Sequence, residues 1–438
     1  MKPMTNVYYS KLFALINIVY RKIFHEEISS EVEKFIKNLS YVGIGTIIAS
    51  IFSFSYNILA GRWLGPSEYG TFTLIQSVAM FLYIPMLLGF HTAMVKYNAE
   101  KIDFSRQRCI ISTTYILVLL FMITSLLVYF TFSEEIMALF SISGEIFYFA
   151  VVFAVIFVIY TLGTETLRSL HMIREYSRLK PLHSGILFLS FLMFVFVFQE
   201  ISFRSPLFSM LLAYGIIGGI MLVFLRKYII PEFSGEWART LHKFSIFSLM
   251  GGISSILYIN VDKIFINLYL SVSDVGVYWA YNYSFTTMAL LCTSIFVTVF
   301  FPVASMCSDK EMLFNRINKI AILIIILGWP VIAGIGYVIL KLYGGSYPFD
   351  LSLALLFATA GICISVDQLY GQLLNSEGLD GVKITSSAAV VLAVVNVLLN
   401  VLLIPLFGLN GAVIATIIGY LASISIMLLN KKRLRYSR

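Results

Sequence analysis

Amide side chains within long apolar segments are the first residues of this chain that suggest a chemistry. Five amides in this setting are candidates for ligand binding, namely Asn57, Gln76, Asn260, Asn282 and Asn396. An amide in hydrocarbon loses its hydrogen bonds to water, so each is expected to face the protein interior or a wet cavity. There the amides either bind polar groups of a ligand or join helices by hydrogen bonds, and the sequence leaves both interpretations open.

Charged side chains in the same segments are fewer. Asp367 lies within an apolar run. Intramembrane carboxylates commonly mark ion pathways, so Asp367 is a candidate for binding a coupling ion, H⁺ or Na⁺, with a structural role as the alternative. Asp262 and Lys263 are adjacent. They are candidates for ion coupling and substrate binding respectively, or they form a local ion pair. Arg168 is a candidate for attracting an anionic substrate, unless it serves topology alone.

Catalytic chemistry has no comparable support. The sequence contains no glycine-rich phosphate loop, nucleophile elbow or zinc-protease signature. Its four cysteines are scattered and predict neither a disulfide framework nor a metal site. We therefore expect a protein that is not an enzyme and that needs no cofactor apart from a coupling ion.

The elements that position these residues follow from the composition. The 438 residues are 59% hydrophobic and 12% charged, against about 25% charged in a soluble domain. Apolar runs of about twenty residues recur, and each can cross roughly 30 Å of hydrocarbon as a helix. We predict an all-α polytopic integral membrane protein with about twelve transmembrane helices. The predicted spans are 39–61, 70–91, 109–132, 145–167, 182–201, 206–225, 244–268, 276–303, 318–340, 351–375, 384–404 and 409–429.

Lysine and arginine predict the orientation of these spans. Of 31 such residues, 27 fall on one side, and the other four are Arg62, Arg204, Lys263 and Lys341. Because cytoplasmic loops are enriched in Lys and Arg, we expect both termini in the cytoplasm of a multi-pass cell-membrane protein. The net charge of +8 then serves topology and contact with membrane lipids, and no nucleic-acid partner is expected.

The chain divides into four predicted segments. Residues 1–38 place apolar and basic residues at helical spacing, which predicts a cytoplasmic amphipathic helix on the membrane surface. A cleaved signal peptide is the alternative for this segment. Residues 39–230 and 231–430 each hold six spans, and 431–438 form a basic cytoplasmic tail. Every candidate residue lies in one of the two six-span segments.

An internal repeat relates those two segments. Residues 64–72 (LGPSEYGTF) resemble residues 270–278 (LSVSDVGVY) at an offset of 206 positions. Each copy is expected to form a hairpin in which Ser67 or Ser273 caps the next helix, while Glu68 or Asp274 meets its positive end. An even number of spans separates the copies, so the halves are predicted to be two parallel six-helix bundles.

The same segments carry a family resemblance. Residues 62–70 (RWLGPSEYG) resemble the first-loop signature of the polysaccharide and O-antigen repeat-unit flippases of the MOP exporter superfamily. Four further segments resemble that family in order, namely 262–278, 301–305 (FPVAS), 342–344 (LYG) and 404–412 (IPLFGLNGA). The resemblance extends with gaps over residues 35 to 430.

The resemblance implies alternating access and transport of an isoprenoid-pyrophosphate-linked oligosaccharide from the inner to the outer leaflet. The implied partners are this substrate, membrane lipids and glycan-assembly proteins. A drug or lipid exporter of the same superfamily is the alternative within transport. A membrane-bound glycan polymerase or ligase is the alternative among enzymes, but such enzymes tend to carry catalytic residues in a large outer loop, and the predicted outer loops are short.

Overall fold

The computed structural model describes residues 30–100, 103–291, 293–294 and 310–435, and every regular element in these ranges is helical. The all-α class is thereby confirmed. The helices are α1 Ser30–Leu87, α2 Phe90–Glu100, α3 Phe104–Thr131, α4 Ser133–Phe140, α5 Gly144–Ser169, α6 Ile173–Phe196, α7 Arg204–Leu225, α8 Gly235–Tyr269, α9 Val272–Tyr281 with a π-helical turn Asn282–Thr287, α10 Lys310–Tyr343, α11 Leu351–Asn375, α12 Leu379–Phe407 and α13 Leu409–Arg435.

Helix α1 contains two membrane spans joined by a sharp reversal. In one straight helix Asn57 and Tyr69 would lie about 18 Å apart along the axis, yet the Tyr69 hydroxyl donates a 3.2 Å hydrogen bond to Asn57 Oδ1. The reversal lies at Gly65, whose φ of 75° and ψ of 173° are not helical. Glycine adopts a positive φ without the steric cost of a Cβ. The first two predicted spans therefore form a hairpin.

The number of spans agrees with the prediction. Within the described ranges, nine helices are long and apolar enough to cross a membrane, or ten if Gly235–Ile246 and Gly251–Tyr269 form one span bent by 48°. Residues Ile47–Leu87 count once in this total although they contain the reversal at Gly65. The eighth predicted span, 276–303, runs into residues outside the described ranges. With the bent pair taken as one span and α1 counted twice, the described ranges hold eleven spans, which is roughly consistent with the twelve predicted.

The two predicted terminal segments lie largely outside the described residues. Of the amphipathic segment 1–38, residues 30–38 are described, and they begin α1 without a break before the first span. Of the tail 431–438, residues up to Arg435 continue α13. The amphipathic helix predicted for residues 1–29 stays a prediction. The cytoplasmic tail, which includes residues 436–438, also stays a prediction.

Each half of the chain packs around its own interior. In the N-terminal half, α1 to α7, the Tyr56 ring lies 6.3 Å from Phe72 and 5.3 Å from Phe191, and its hydroxyl donates to the Pro206 carbonyl. These contacts join α1, α6 and α7. In the C-terminal half, α8 to α13, helix α12 packs along both α13 and α8.

The two repeat copies lie against each other at one end of the molecule, here called the hairpin end (residues 62–70 and 269–276). A Cβ placed on Gly70 would lie 1.9 Å from the Val272 carbonyl oxygen, and one on Gly276 would lie 2.0 Å from the Pro66 carbonyl oxygen. Gly70 and Gly276 are equivalent positions of the two repeat copies, and so are Pro66 and Val272. The backbones therefore touch reciprocally.

The helix caps at the hairpins differ from the prediction. Helix α9 begins at Val272 and is capped by Ser271, whose hydroxyl accepts from the Asp274 N–H. The prediction that Ser273 is the cap was wrong because the helix begins before that residue. Glu68 does meet a helix N-terminus, but it is that of α7, because its carboxylate accepts a 2.7 Å hydrogen bond from the Phe203 N–H.

Candidate functional site

Aromatic and polar side chains from both halves meet near the hairpin end. The rings of Trp279 and Tyr283 lie 6.5 Å apart, and Tyr283 lies 6.4 Å from Phe54 of α1. Phe54 is followed on α1 by Asn57, which accepts the hydrogen bond from Tyr69. These residues form a mixed aromatic and polar site between the halves. We call it the interhalf cluster, and its members are Asn57, Tyr69, Lys263, Trp279 and Tyr283.

Lys263 brings a positive charge to the interhalf cluster. It is only 3% exposed, and its Nζ lies 4.3 Å from the centroid of the Trp279 ring. Its ammonium donates a 3.3 Å hydrogen bond to Asn260 Oδ1. None of the ion pairs found among the described residues includes it. Burial of an ammonium costs several kcal/mol, and a desolvated cation–π contact returns only about 2 kcal/mol. The site therefore favours an anionic group beside Lys263.

A second polar group lies inside the C-terminal half. Asp262 Oδ1 accepts a 2.5 Å hydrogen bond from Asn400 Nδ2. Asp262 Oδ2 accepts from the Tyr278 hydroxyl at 2.5 Å and from Thr416 Oγ1 at 2.9 Å. Asn396 joins the group by accepting from Asn400 and donating to Thr416, both at 3.3 Å. All five side chains are buried. They are called the Asp262 network below.

Helix geometry explains why adjacent residues serve two different sites. Consecutive side chains on an α-helix diverge by about 100°. Asp262 therefore points into the C-terminal half while Lys263 points toward Trp279, and the described ion pairs do not include one between them. Asn396 and Asn400 are four residues apart and share one face of α12, so both reach Asp262 or its partners.

The donor set of the Asp262 network suits a small cation or a proton. Oxygen ligands from carboxylates, amides and hydroxyls are those that hard cations prefer. Asn400 Oδ1 is buried and receives no hydrogen bond from the described residues, so it is an acceptor available to a cation. The described residues contain no cluster of three or more His, Cys, Asp or Glu side chains able to hold a metal ion. One carboxylate among neutral oxygens matches a single positive charge.

Asp367 lies apart from this network. It is half-buried on α11 and accepts a 2.6 Å hydrogen bond from Ser423 of α13. Ser423 and Thr416 are seven residues apart on one face of α13, so the two carboxylates are separated by about 10 Å along that helix. The structure thus holds two separate candidate carboxylates in the C-terminal half, and Asp262 has the richer set of oxygen neighbours.

Of the remaining predicted site residues, Asn282 lies beside Tyr278 of the Asp262 network, whereas Gln76 and Arg168 lie elsewhere. Gln76 Nε2 lies 3.1 Å from Met210 Sδ, inside the N-terminal half. Asn282 begins the π-helical turn, and its Oδ1 accepts a 3.5 Å hydrogen bond from Thr287. Arg168 is exposed at the end of α5 and forms an ion pair with Glu165 at 2.7 Å. The structure brings Asn57, Asn260 and Lys263 near one site, and Asp262 and Asn396 into another.

Sequence reasoning missed several members of both groups. Asn400 lies four residues after Asn396 in an apolar helix, and this spacing was the signal that could have identified it. Thr416 carried no such signal, because threonine often bonds within its own helix, as it also does here to the Ala412 carbonyl. The aromatic members Trp279 and Tyr283 are indistinguishable in sequence from the many aromatic residues of this chain.

Comparison with known sequences gives a family match. A family model described as polysaccharide biosynthesis protein matches residues 58–344. A sequence relative, the probable low-salt glycan biosynthesis flippase Agl15 of Haloferax volcanii, is 24% identical over 416 residues. The match covers 87% of this chain and 81% of that relative. The family match includes both repeat copies, and it ends before Asn396, Asn400 and Thr416 of the Asp262 network.

Comparison with solved structures shows the fold. A multidrug resistance MATE family transporter of the MOP superfamily, in an inward-facing conformation, matches with a TM-score of 0.71 and 16% identity over 90% of this chain and 98% of that one. The lipid II flippase MurJ, in an inward closed conformation, matches with a TM-score of 0.66 and 16% identity over 89% and 87%. These likenesses support the predicted arrangement of two parallel helix bundles.

Proposed function

The chain belongs to the polysaccharide biosynthesis protein family, and from this premise we propose that it is a flippase that carries an isoprenoid-pyrophosphate-linked oligosaccharide from the inner to the outer leaflet. The relative named as a glycan biosynthesis flippase supports transport of a lipid-linked glycan by a multi-pass membrane protein that is not an enzyme. The identity of the lipid and its pyrophosphate, the cell membrane as location and contact with glycan-assembly proteins are parts of the proposal.

The observation that carries the proposal is the buried ammonium of Lys263 between the halves. The adjacent Asp262 carboxylate acts on Lys263 electrostatically, but none of the described ion pairs includes Lys263. A pyrophosphate would supply a negative charge in direct contact, and lysine is a common phosphate ligand. The neighbouring aromatic rings and the amide of Asn57 suit a sugar, which has both apolar and hydroxyl faces. The site thus matches the polar head of a lipid-linked glycan.

We further propose that transport is coupled to H⁺ or Na⁺ at the Asp262 network. Asp262 and Lys263 are consecutive residues of α8. A cation bound at Asp262 and an anion bound at Lys263 therefore act on the same helical turn. Release of the ion then shifts the position of Lys263. Linkage of this kind needs different affinities in the two conformations, which a movement of this shared helical turn would supply.

A drug exporter is the second candidate function, favoured by the fold shared with MATE transporters. Small cationic drugs would be repelled by the buried ammonium of Lys263, whereas an anionic lipid-linked glycan would be attracted. This difference in charge makes the two functions separable by experiment.

Purified protein in liposomes is expected to move an isoprenoid-pyrophosphate oligosaccharide between leaflets without changing its covalent structure. A flippase alters only the leaflet, so the sugar becomes accessible to a membrane-impermeant lectin while the mass of the lipid stays constant. The measurement is lectin binding over time followed by mass analysis. A changed mass would support a polymerase or ligase, and movement of small cationic drugs alone would support the exporter.

The proposed orientation predicts which loops react from outside the cell. Single cysteines at Ser67, Glu134 and Ser346, all exposed in the structure, should be labelled by an impermeant thiol reagent in intact cells. Cysteines at Ser105 and Ser177 should react only after permeabilisation, because the basic segments around them are expected in the cytoplasm. Labelling of the second pair in intact cells would reverse the orientation.

A further inference from the structure

Cationic and aromatic side chains meet at the end of the molecule opposite the hairpin end. The start of α3 and helix α2, which follows the second span of α1, supply Lys96, Tyr97 and Arg106 from the N-terminal half. The first three turns of α8 supply Trp237 and Phe244 from the C-terminal half. The Tyr97 ring lies 6.0 Å from Trp237 and 5.9 Å from Phe244. These five residues are called the basic aromatic cluster below.

Both cations of the cluster lie against its aromatic rings. Lys96 Nζ lies 4.1 Å from the ring centroid of Phe244 and 5.1 Å from that of Tyr97. The guanidinium carbon of Arg106 lies 5.2 Å from the ring centroid of Trp237, and its Nη2 donates a 3.3 Å hydrogen bond to the Tyr97 carbonyl. An aromatic ring attracts a cation at such distances without neutralising its charge. The cluster therefore holds two positioned positive charges.

Only one of these charges has an acidic partner among the described residues. Arg106 forms an ion pair with Glu100 at 3.2 Å. None of the ion pairs found in the described part of the chain includes Lys96, and the Lys96 side chain is exposed. Lys96 is thus free to bind an anion from outside the protein while the rings keep its ammonium in place.

The start of α8 has the shape and polarity of a helix at a membrane surface. Its first segment, Gly235–Ile246, is inclined by 48° to the remainder of the helix. Trp237 and Phe244 are seven residues apart and share the face that packs on α2. Arg239 and Lys243 are four residues apart and exposed on the opposite face. Helices with one aromatic and one basic face lie between lipid headgroups and acyl chains.

We propose that the basic aromatic cluster binds the phosphate of an anionic phospholipid at the membrane surface. Lysine binds phosphate as a point charge, and basic pockets between transmembrane helices take anionic headgroups. The rings of Trp237 and Phe244 contact the lipid next to its phosphate, at the level where tryptophan is enriched in membrane proteins. The bound lipid contacts both halves, because both contribute to the cluster. This site does not depend on the proposed flippase function.

Lys227 provides a matched comparison with Lys96. It follows α7 at the same end of the molecule, is exposed, and its Nζ lies 5.2 Å from the ring centroid of Tyr228. The ion pairs among the described residues do not include it either. General attraction between a basic surface and anionic lipid predicts equal contributions from the two lysines. A lipid bound at the cluster predicts that Lys96 contributes and Lys227 does not.

Tryptophan fluorescence measures which lipid occupies the cluster. Replacement of Trp63, Trp279 and Trp329 by phenylalanine leaves Trp237 as the only tryptophan of the chain. The purified protein is placed in bilayers of phosphatidylcholine and phosphatidylglycerol, and either lipid is brominated in turn to quench Trp237. The two quenching curves give the preference for phosphatidylglycerol at this position. We expect a preference of at least fivefold, the factor that corresponds to one lysine near an anionic headgroup.

Three variants test the assignment. Lys96→Gln is expected to lower the preference about fivefold, and Lys227→Gln is expected to leave it unchanged. Phe244→Leu keeps an apolar side chain but removes the ring beneath Lys96, so it should lower the preference in the same direction as Lys96→Gln. Equal reductions by the two lysine variants, or no preference in the chain with Lys96 intact, would overturn the site.

A second measurement uses the chain with all four tryptophans. Phosphatidylglycerol added to the protein in phosphatidylcholine bilayers should raise the melting temperature of the native chain and of Lys227→Gln by the same amount, and that of Lys96→Gln by less. An equal rise in all three proteins would contradict the site. Neither measurement requires transport. Failure of the liposome transport assay would therefore leave the lipid site intact, and loss of the lipid preference would leave the proposed flippase function intact.

Discussion

Replacement of Asp262 by asparagine is expected to abolish the dependence of transport on an ion gradient while the protein still reaches the membrane. The substitution keeps the size of the side chain and removes the only charge of the Asp262 network. A bound cation would lose its charged partner. Loss of one partner of a buried charge pair costs about 2–5 kcal/mol, so the affinity should fall by roughly 30-fold to several thousandfold.

Two measurements separate the ions. Transport is followed with a Na⁺ gradient at constant pH and with a pH gradient at constant Na⁺. Binding is followed without substrate by the melting temperature, because a ligand at 100 times its Kd stabilises the folded state by about 2.7 kcal/mol. If Na⁺ is the coupling ion, it should raise the melting temperature of the native chain and not that of Asp262→Asn. If the proton couples, only the pH gradient should drive transport.

Asp367→Asn is the companion variant, since Asp367 was the leading candidate for ion coupling in the sequence. Its single hydrogen-bond partner among the described contacts is Ser423, so fewer oxygens surround it than surround Asp262. We expect a smaller loss of gradient dependence than in Asp262→Asn. If Asp367→Asn abolishes the response and Asp262→Asn does not, the coupling site lies at Asp367 and the Asp262 network is structural.

Much of the fold was predictable because the bilayer restricts what a chain can form. Apolar runs of sufficient length must be helices that satisfy their own backbone groups, and the asymmetry of Lys and Arg indicates their direction. The repeat at an offset of 206 residues predicted related hairpins, and the structure places the two copies in contact. The exact helix starts were not predictable, as the cap at Ser271 shows, because neighbouring serines have the same capping chemistry.

The candidate sites were harder to predict because they depend on side-chain direction and on contacts between distant helices. Asp262 and Lys263 read as a possible ion pair in sequence, yet they face different surroundings. The bond from Thr416 to Asp262 joins residues 154 positions apart. No local pattern encodes such a pairing. Asn57 and Lys263 were predictable as polar residues in apolar helices. That both lie near Trp279 and Tyr283 depends on how the two halves pack, which the sequence does not show.

The second large effect is expected from Lys263→Met, which keeps the length and apolar stem of the side chain and removes its charge. If Lys263 binds the pyrophosphate, the variant loses a hydrogen bond to a charged group. Such bonds contribute about 1.5–3 kcal/mol, so the KM for the lipid-linked glycan should rise roughly 10- to 150-fold. The thermal stability should stay constant or increase, because a buried ammonium without an ion-pair partner is costly to fold.

A higher KM together with an unchanged or higher melting temperature distinguishes a binding role from a structural one. If Lys263 only held helices together through Asn260 and Trp279, the melting temperature would fall and the KM of the folded protein would not change. The matched control is Lys341→Met. Lys341 also lies over an aromatic ring, 5.4 Å from that of Tyr337, but it is exposed at the end of α10. Its replacement should change neither quantity, because a solvated ammonium has no buried anion to lose. An equal rise in KM for both variants would mean that general surface charge, and not the interhalf cluster, attracts the substrate.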